Sequence, residues 1–253
     1  MPRKYYDIEF SPVIIALDVS SSMETDDSGN HPLQVAEGII PQLAELGKHF
    51  PTVDDMTRIG LITFSSSAEV QLPVGEVGRL SDLAGKSVNF KPQGLTYYGA
   101  AFKLIHSELQ QVRQRLFEHE HLEGLSVGYH RPVVFFITDG RPNDSDADRK
   151  AAWEALVGDD ELSPHFVTFG VGNVRAEHIA PYCNRRGRVL LARDPANVAR
   201  DITDLIELMC ATIVTMNDSG PSRRDDESLF AADHDSWRAN FDVLNFNDQY
   251  DVL

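Results

Sequence analysis

Short apolar runs alternate along this chain with longer stretches in which apolar residues recur at helical spacing. Runs rich in β-branched and aromatic residues are typical of strands buried on both faces of a sheet. The predicted strands are Pro12 to Leu17, Arg58 to Phe64, Ala68 to Leu72, Pro132 to Thr138, His165 to Phe169 and Arg188 to Leu191. Only Ser65-Ser66-Ser67 separates Phe64 from Ala68, so this pair is predicted to be an antiparallel hairpin.

Helical periodicity fills the segments between the predicted strands. The predicted helices are Pro32 to Leu46 with Gly47 as a stop signal, Ser81 to Gly85, Tyr98 to about His119, Asp146 to Leu156, Ala176 to Tyr182 and Pro195 to Val214. Alternation of strands and helices favours an α/β fold. We therefore predict a doubly wound, mostly parallel six-stranded sheet with one antiparallel edge strand and helices on both faces.

The pattern divides the chain into a folded domain, residues 1–216, and a C-terminal tail, residues 217–253. The tail begins with a polar stretch broken by Gly220 and Pro221, and its acidic residues outnumber the basic ones. This composition predicts a flexible, acidic segment. The apolar residues near its end, among them Trp237 and Phe241, predict that part of it docks on its own domain or on a partner.

Composition narrows the function classes. The formal net charge of −16 disfavours nucleic acid and anionic lipid as partners and favours cations or basic protein surfaces. Cys183 and Cys210 are too few for a disulfide framework, and we expect reduced thiols. The first residues lack the apolar stretch of a signal peptide, and no apolar run is long enough to span a membrane. The expected location is the cytoplasm.

Oxygen-bearing side chains follow the ends of several predicted strands. Asp18, Ser20 and Ser22 come directly after the first strand, Asp139 follows the strand Pro132 to Thr138, and Thr96 lies in a loop before a helix. Ligands of an open α/β sheet collect at the carboxyl ends of its strands. Hydroxyl and carboxylate oxygens suit Mg²⁺. We therefore predict a metal site with Ser20, Ser22 and Thr96 as hydroxyl ligands and with Asp18 and Asp139 as direct or water-mediated ligands.

These motifs carry a family resemblance. LDVSSSM at Leu17 to Met23, Gly94-Leu95-Thr96 and the FFITDG segment that contains Asp139 resemble the metal-ion-dependent adhesion site of von Willebrand factor A (vWA) domains. The segment GYHRPVVFFITDGRPND is similar to bacterial stand-alone members associated with tellurium resistance. The resemblance implies Mg²⁺, or alternatively Mn²⁺, and a protein partner that offers a carboxylate to the metal. It also implies a stress-response context with kinase and phosphatase partners.

Two other functions stay open at this point. The same metal would serve a hydrolase or a phosphotransfer enzyme, although the chain has no GxSxG motif and has Ser20 where phosphoaspartyl enzymes have a second acid. A structural scaffold with a degenerate metal site is the other alternative. The sequence favours a binding adaptor over an enzyme.

We further expect that acidic residues of the tail compete for the metal site in the same or a neighbouring molecule. The acids after the metal loop, such as Glu24 and Asp26, are predicted to bind a second cation or to cap the next helix.

Overall fold

The computed structural model describes residues 7–26, 28–80, 90–124, 126–159, 162–218 and 240–244. Within them, one mixed sheet has the strand order β3-β2-β1-β5-β6-β7-β8, with the short β4 paired to β1. The strands are β1 (Ile8–Asp18), β2 (Thr57–Phe64), β3 (Ala68–Glu76), β4 (Val127–Tyr129), β5 (Val133–Thr138), β6 (His165–Gly170), β7 (Arg188–Ala192) and β8 (Phe241–Leu244). Strands β1, β2, β5, β6 and β7 are parallel to one another, whereas β3 and β8 run antiparallel at the two edges.

Helices cover both faces of the sheet. They are α1 (Pro32–Ala36), α2 (Ile39–His49), α3 (Pro51–Met56), α4 (Tyr98–Glu123), α5 (Asp146–Gly158), α6 (Ala176–Ile179) and α7 (Val198–Asp218). Successive residues of β1 point to opposite faces: Ile15 packs in one core with α1, α2, α3 and α7, and Ile14 in a second core with α4, α5 and α6. None of the described helices is long and apolar enough to cross a membrane.

The predicted fold class is confirmed, and the structure adds β4 and β8 to the six predicted strands. The predicted helix from Pro32 to Leu46 is divided at Gly38, the N-cap of α2. Gly47 does not stop α2: a Cβ there would lie 2.7 Å from Cγ1 of Val77, so close packing is the physical reason for this glycine. The predicted helix Ser81 to Gly85 lies outside the described residues.

Part of the predicted tail belongs to the sheet. Phe241 is buried against the core and lies opposite Ala192, and Val243 lies opposite Leu190. Asn240 donates a side-chain hydrogen bond of 2.7 Å to Asp204 on α7. Residues 241–244 therefore dock on their own domain, one of the two docking alternatives that the sequence left open. The other residues beyond 218 lie outside the described part of the chain, so the predicted domain boundary stays a prediction.

Candidate metal centre

Two neighbouring strands bring the predicted acidic residues together. Asp18 is the last residue of β1, and Asp139 directly follows β5. These strands are hydrogen-bonded in parallel, with Leu17 opposite Ile137. From β1 the chain continues to β2 on one side of β1, whereas β5 and the strands after it lie on the other side. The strand order therefore reverses between β1 and β5. This is the position at which open α/β sheets place their ligands.

The loop after β1 presents hydroxyl groups to Asp139. The Ser20 Oγ and Ser22 Oγ atoms lie 3.0 Å apart. Ser22 donates a hydrogen bond of 2.8 Å to Asp139 Oδ1. Ser20 is buried, whereas Ser21 and Ser22 are exposed. The structure thus links three of the predicted site residues directly and leaves one side of the group open to solvent.

Asp18 lies beneath this loop and is fully buried. Its Oδ1 accepts the backbone N–H of Ser20 at 2.8 Å, and its Oδ2 accepts the hydroxyl of Thr138 at 2.7 Å. The first bond folds the loop over the end of β1. The second ties the carboxylate to β5. Asp18 therefore fixes the hydroxyl loop and contributes a negative charge under the site.

Thr96 reaches the site from the loop before α4. Its backbone N–H donates to the side-chain oxygen of Asn143 at 3.0 Å, and its carbonyl accepts the backbone N–H of Asn143 at 2.7 Å. A Cβ at Gly140 would lie 2.7 Å from Thr96 Oγ1, so only glycine leaves room for this hydroxyl next to residue 140, which directly follows Asp139. Tyr98 fixes the same turn by donating a hydrogen bond of 2.7 Å to the carbonyl of Gly140.

The two carboxyl groups are in an environment that penalises their charged forms. Burial raises the pKa of Asp18 to about 6, although hydrogen bonds from Thr138 and Ser20 favour its charged form. Burial also raises the pKa of Asp139 to about 7, and the negative charge of Asp18 adds to that rise. A compensating cation next to these two carboxyl groups would favour the state in which both are ionised at neutral pH.

The acids after the metal loop have different roles. Asp26 accepts the backbone N–H groups of Ser28, Asn30 and Ala199 at 3.0, 2.8 and 3.3 Å. Burial opposes ionisation of Asp26, but these bonds outweigh it and lower the pKa. The predicted capping of the next helix is wrong for Asp26, because this residue caps α7 and not the helix that follows it in sequence. The hydrogen bond from Ala199 attaches the loop that contains Asp26 to α7.

The donors fit a hard divalent cation, because the side chains that meet here offer only oxygen. Within the described residues, no group of three or more His, Cys, Asp and Glu side chains is placed to hold a metal ion. Two carboxyl groups alone do not make a site. Any ion would need the hydroxyls of Ser20, Ser22 and Thr96 as further donors, as the sequence predicted.

Sequence reasoning missed the residues that hold the site together. Thr138 was counted only as the end of an apolar strand, yet its hydroxyl fixes Asp18. Asn143 belongs to the segment GYHRPVVFFITDGRPND but not to the predicted site, yet it holds Thr96 through both its side chain and its backbone. A polar residue at the end of an apolar strand was a usable signal for Thr138. The pairing of Asn143 with a residue 47 positions away required the fold.

Comparison with known families agrees with this geometry. The family model described as the von Willebrand factor type A domain matches residues 13–141, about half of the chain. The chain belongs to this family. The matched region contains Asp18, Ser20, Ser22, Thr96 and Asp139. Known vWA domains are associated with metal-dependent adhesion sites and protein interactions.

Solved structures show the same fold as this vWA domain. A von Willebrand factor type A protein from Catenulispora acidiphila is 16% identical, with a TM-score of 0.55 over 80% of this chain and 43% of that one. Proximal thread matrix protein 1 of the mussel byssus is 16% identical, with a TM-score of 0.56 over 81% of this chain and 49% of that one. A further structure of the byssus protein, with a zinc-occupied metal-ion-dependent adhesion site, is 18% identical, with a TM-score of 0.50 over 80% and 46% of the two chains. This chain thus spans less than half the length of these proteins. No curated protein matches its sequence.

Proposed function

We propose that this vWA domain binds a protein partner through a divalent cation, with Mg²⁺ as the ion and Mn²⁺ as a substitute. The observation that carries the proposal is the pair of buried carboxyl groups, Asp18 and Asp139, next to the exposed hydroxyl of Ser22. A cation there offsets the repulsion between the two charges. The zinc-occupied site of the mussel byssus protein supports the same position for an ion in this fold.

In this proposal the hydroxyls of Ser20, Ser22 and Thr96 ligate the ion, and Asp18 and Asp139 bind it directly or hold its waters. Neutral hydroxyl ligands leave more positive charge on the ion than carboxylates do. The bound ion supplies a Lewis-acidic position for an incoming oxygen. A carboxylate of the partner is the ligand that best fits this position, because it is a hard, charged oxygen donor.

The surface around the site suits a protein partner. Leu95, the residue before Thr96, is 52% exposed, although most large apolar side chains of the described residues are buried. The exposed Arg141 follows Asp139 by two residues. An apolar and a cationic side chain next to a metal position favour a partner that combines a carboxylate with apolar contacts.

The hydrogen bonds of the serines favour binding over catalysis. Ser20, Ser21 and Ser22 have Asp18, Asp139, the carbonyl of Gly94 and each other as partners in the described residues. A nucleophilic serine is usually activated by a histidine, and the contacts of these serines in the described residues include none. We therefore propose a binding domain and not a hydrolase or a phosphotransfer enzyme.

The cellular context of the proposal rests on sequence resemblance alone. The similarity of the segment around Asp139 to members associated with tellurium resistance supports a bacterial stress-response role with kinase and phosphatase partners. Cys183 and Cys210 are free thiols, which supports a reducing compartment such as the cytoplasm.

Replacement of Asn143 by Ala is expected to weaken Mg²⁺ binding about tenfold. Asn143 is itself exposed, and its side chain holds the backbone of Thr96, so the loss follows from a displaced hydroxyl. Isothermal titration with Mg²⁺ measures the effect. Asn143→Asp, which keeps the accepting oxygen, should retain most of the affinity. Equal affinities for wild type and Asn143→Ala would contradict this role.

Capture of partners from a native extract tests the proposed function. Wild-type protein should retain a set of proteins in millimolar Mg²⁺ and release them in EDTA. The double variant Ser20→Ala, Ser22→Ala should retain none of them while melting at a similar temperature in EDTA. Retention that is identical with Mg²⁺ and with EDTA would favour a scaffold whose site does not use metal.

A further inference from the structure

An open cleft of about 460 Å³ lies beside the metal loop, on the side of α1. The buried Met23 and Leu33 and the half-buried Pro92 contribute its apolar lining. The exposed Glu24 and the half-buried Glu37 contribute carboxylates, and the exposed His31 completes this side. The cleft is therefore apolar and acidic at once.

The two glutamates have charge available for a ligand. In the described part of the chain, neither Glu24 nor Glu37 forms an ion pair. His31 Nδ1 lies 3.0 Å from the backbone carbonyl of Glu24 and donates to it, and among the described residues His31 forms no ion pair with either glutamate. A long cationic side chain matches such a cleft, because its methylene stem packs on apolar residues while its charged end meets carboxylates.

We propose that this cleft binds an arginine or lysine side chain of the same partner whose carboxylate completes the metal site. The proposal rests on the proposed function and adds the class of sequence that the domain recognises. The cleft is close to the metal position, because Met23 directly follows Ser22 and Glu24 comes next. Two residues span at most about 7 Å of chain. An acidic and a basic residue separated by a few positions in one short segment therefore reach both sites.

Short synthetic peptides test this pairing on the full chain. Each peptide is capped at both ends and contains one Asp and one Arg separated by zero to three Gly. Its matched control carries citrulline, which has the shape of Arg without the charge. In millimolar Mg²⁺, the best-spaced Arg peptide should bind wild-type protein about tenfold more tightly than its citrulline control, because charge-assisted hydrogen bonds form only with Arg.

Variants of the protein locate the effect. The double variant Glu24→Gln, Glu37→Gln should bind the Arg and citrulline peptides equally, with the citrulline affinity of the wild type. The matched control Glu118→Gln, which removes an exposed carboxylate from α4, should keep the full difference. Melting curves verify that all variants fold.

The outcomes separate this inference from the proposed function. Mg²⁺-dependent binding of both peptides with equal affinity would overturn the cationic cleft and leave metal-dependent binding intact. An Arg advantage that persists in the Glu24→Gln, Glu37→Gln variant would also overturn it. Binding of neither peptide in Mg²⁺, or binding unchanged by EDTA, would count against the proposed function and the cleft together.

Discussion

In the metal-free protein, Asp18 and Asp139 are expected to remove about 4 kcal/mol of stability as the pH rises from about 5 to about 7.5, since one pKa unit corresponds to about 1.4 kcal/mol. Burial raises the pKa of Asp18 to about 6 and that of Asp139 to about 7. Between the ordinary pKa of Asp and these values, the unfolded chain is ionised while the folded chain keeps its protons. The folded state therefore binds more protons, and raising the pH destabilises it.

Metal should reverse this trend. A divalent ion binds the ionised carboxylates, so its stabilising effect grows with pH as protons leave. The quantity to measure is the free energy of unfolding in urea with saturating Mg²⁺ minus that in EDTA, at about pH 5 and about pH 7.5. Asp201, whose pKa burial raises to about 6, contributes equally to both conditions and cancels. The difference should be small at the lower pH and several kcal/mol at the higher one. A difference independent of pH would contradict this assignment of charges.

The substitution Asp139→Asn is expected to have two opposite effects at pH 7.5. It removes one of two like charges in a buried position, so the metal-free variant should be about 1 to 2 kcal/mol more stable than metal-free wild type. The amide oxygen still accepts the hydroxyl of Ser22, so the local geometry is kept. It also removes half of the site's negative charge, which weakens Mg²⁺ binding. The Mg²⁺ concentration that gives half of the full stabilisation should therefore rise about a hundredfold.

Thermal unfolding of wild type and variant, in EDTA and across a Mg²⁺ titration, measures both effects of Asp139→Asn. Glu118→Gln is the matched control, because it removes a carboxylate exposed on α4, and it should change neither curve. If the Asp139→Asn variant is less stable than wild type in EDTA, the two aspartates do not repel each other in the folded state. An unchanged Mg²⁺ titration would show that Asp139 takes no part in metal binding.

Local sequence patterns predict most of the sheet because its central strands are buried on both faces. The run Pro132 to Thr138 contains no polar residue before its last position, so the pattern predicts both the strand and the place where it ends. The predicted site residues stand directly after such boundaries. The rule that ligands collect at the carboxyl ends of strands was then sufficient to bring Asp18 and Asp139 together.

The features that sequence did not predict depend on contacts between distant segments. Gly47 lies inside α2, where the absence of a Cβ leaves room for Val77, and Asp26 caps α7 instead of the nearer α1. Strand β8 was not predicted, since four residues with one buried aromatic do not form a strand until β7 offers an edge. The expected competition of acidic tail residues for the metal concerns residues outside the described part of the chain and stays a prediction.

Direct titration with Mn²⁺, followed by the electron paramagnetic resonance signal of the free ion, is the closest test of the metal centre. Wild-type protein should bind one Mn²⁺ per chain, release it when Mg²⁺ is added in excess, and lose this binding in the double variant Ser20→Ala, Ser22→Ala. Absence of bound Mn²⁺ at millimolar concentration, or binding that the double variant retains, would contradict a metal site built from Asp18, Ser20, Ser22, Thr96 and Asp139.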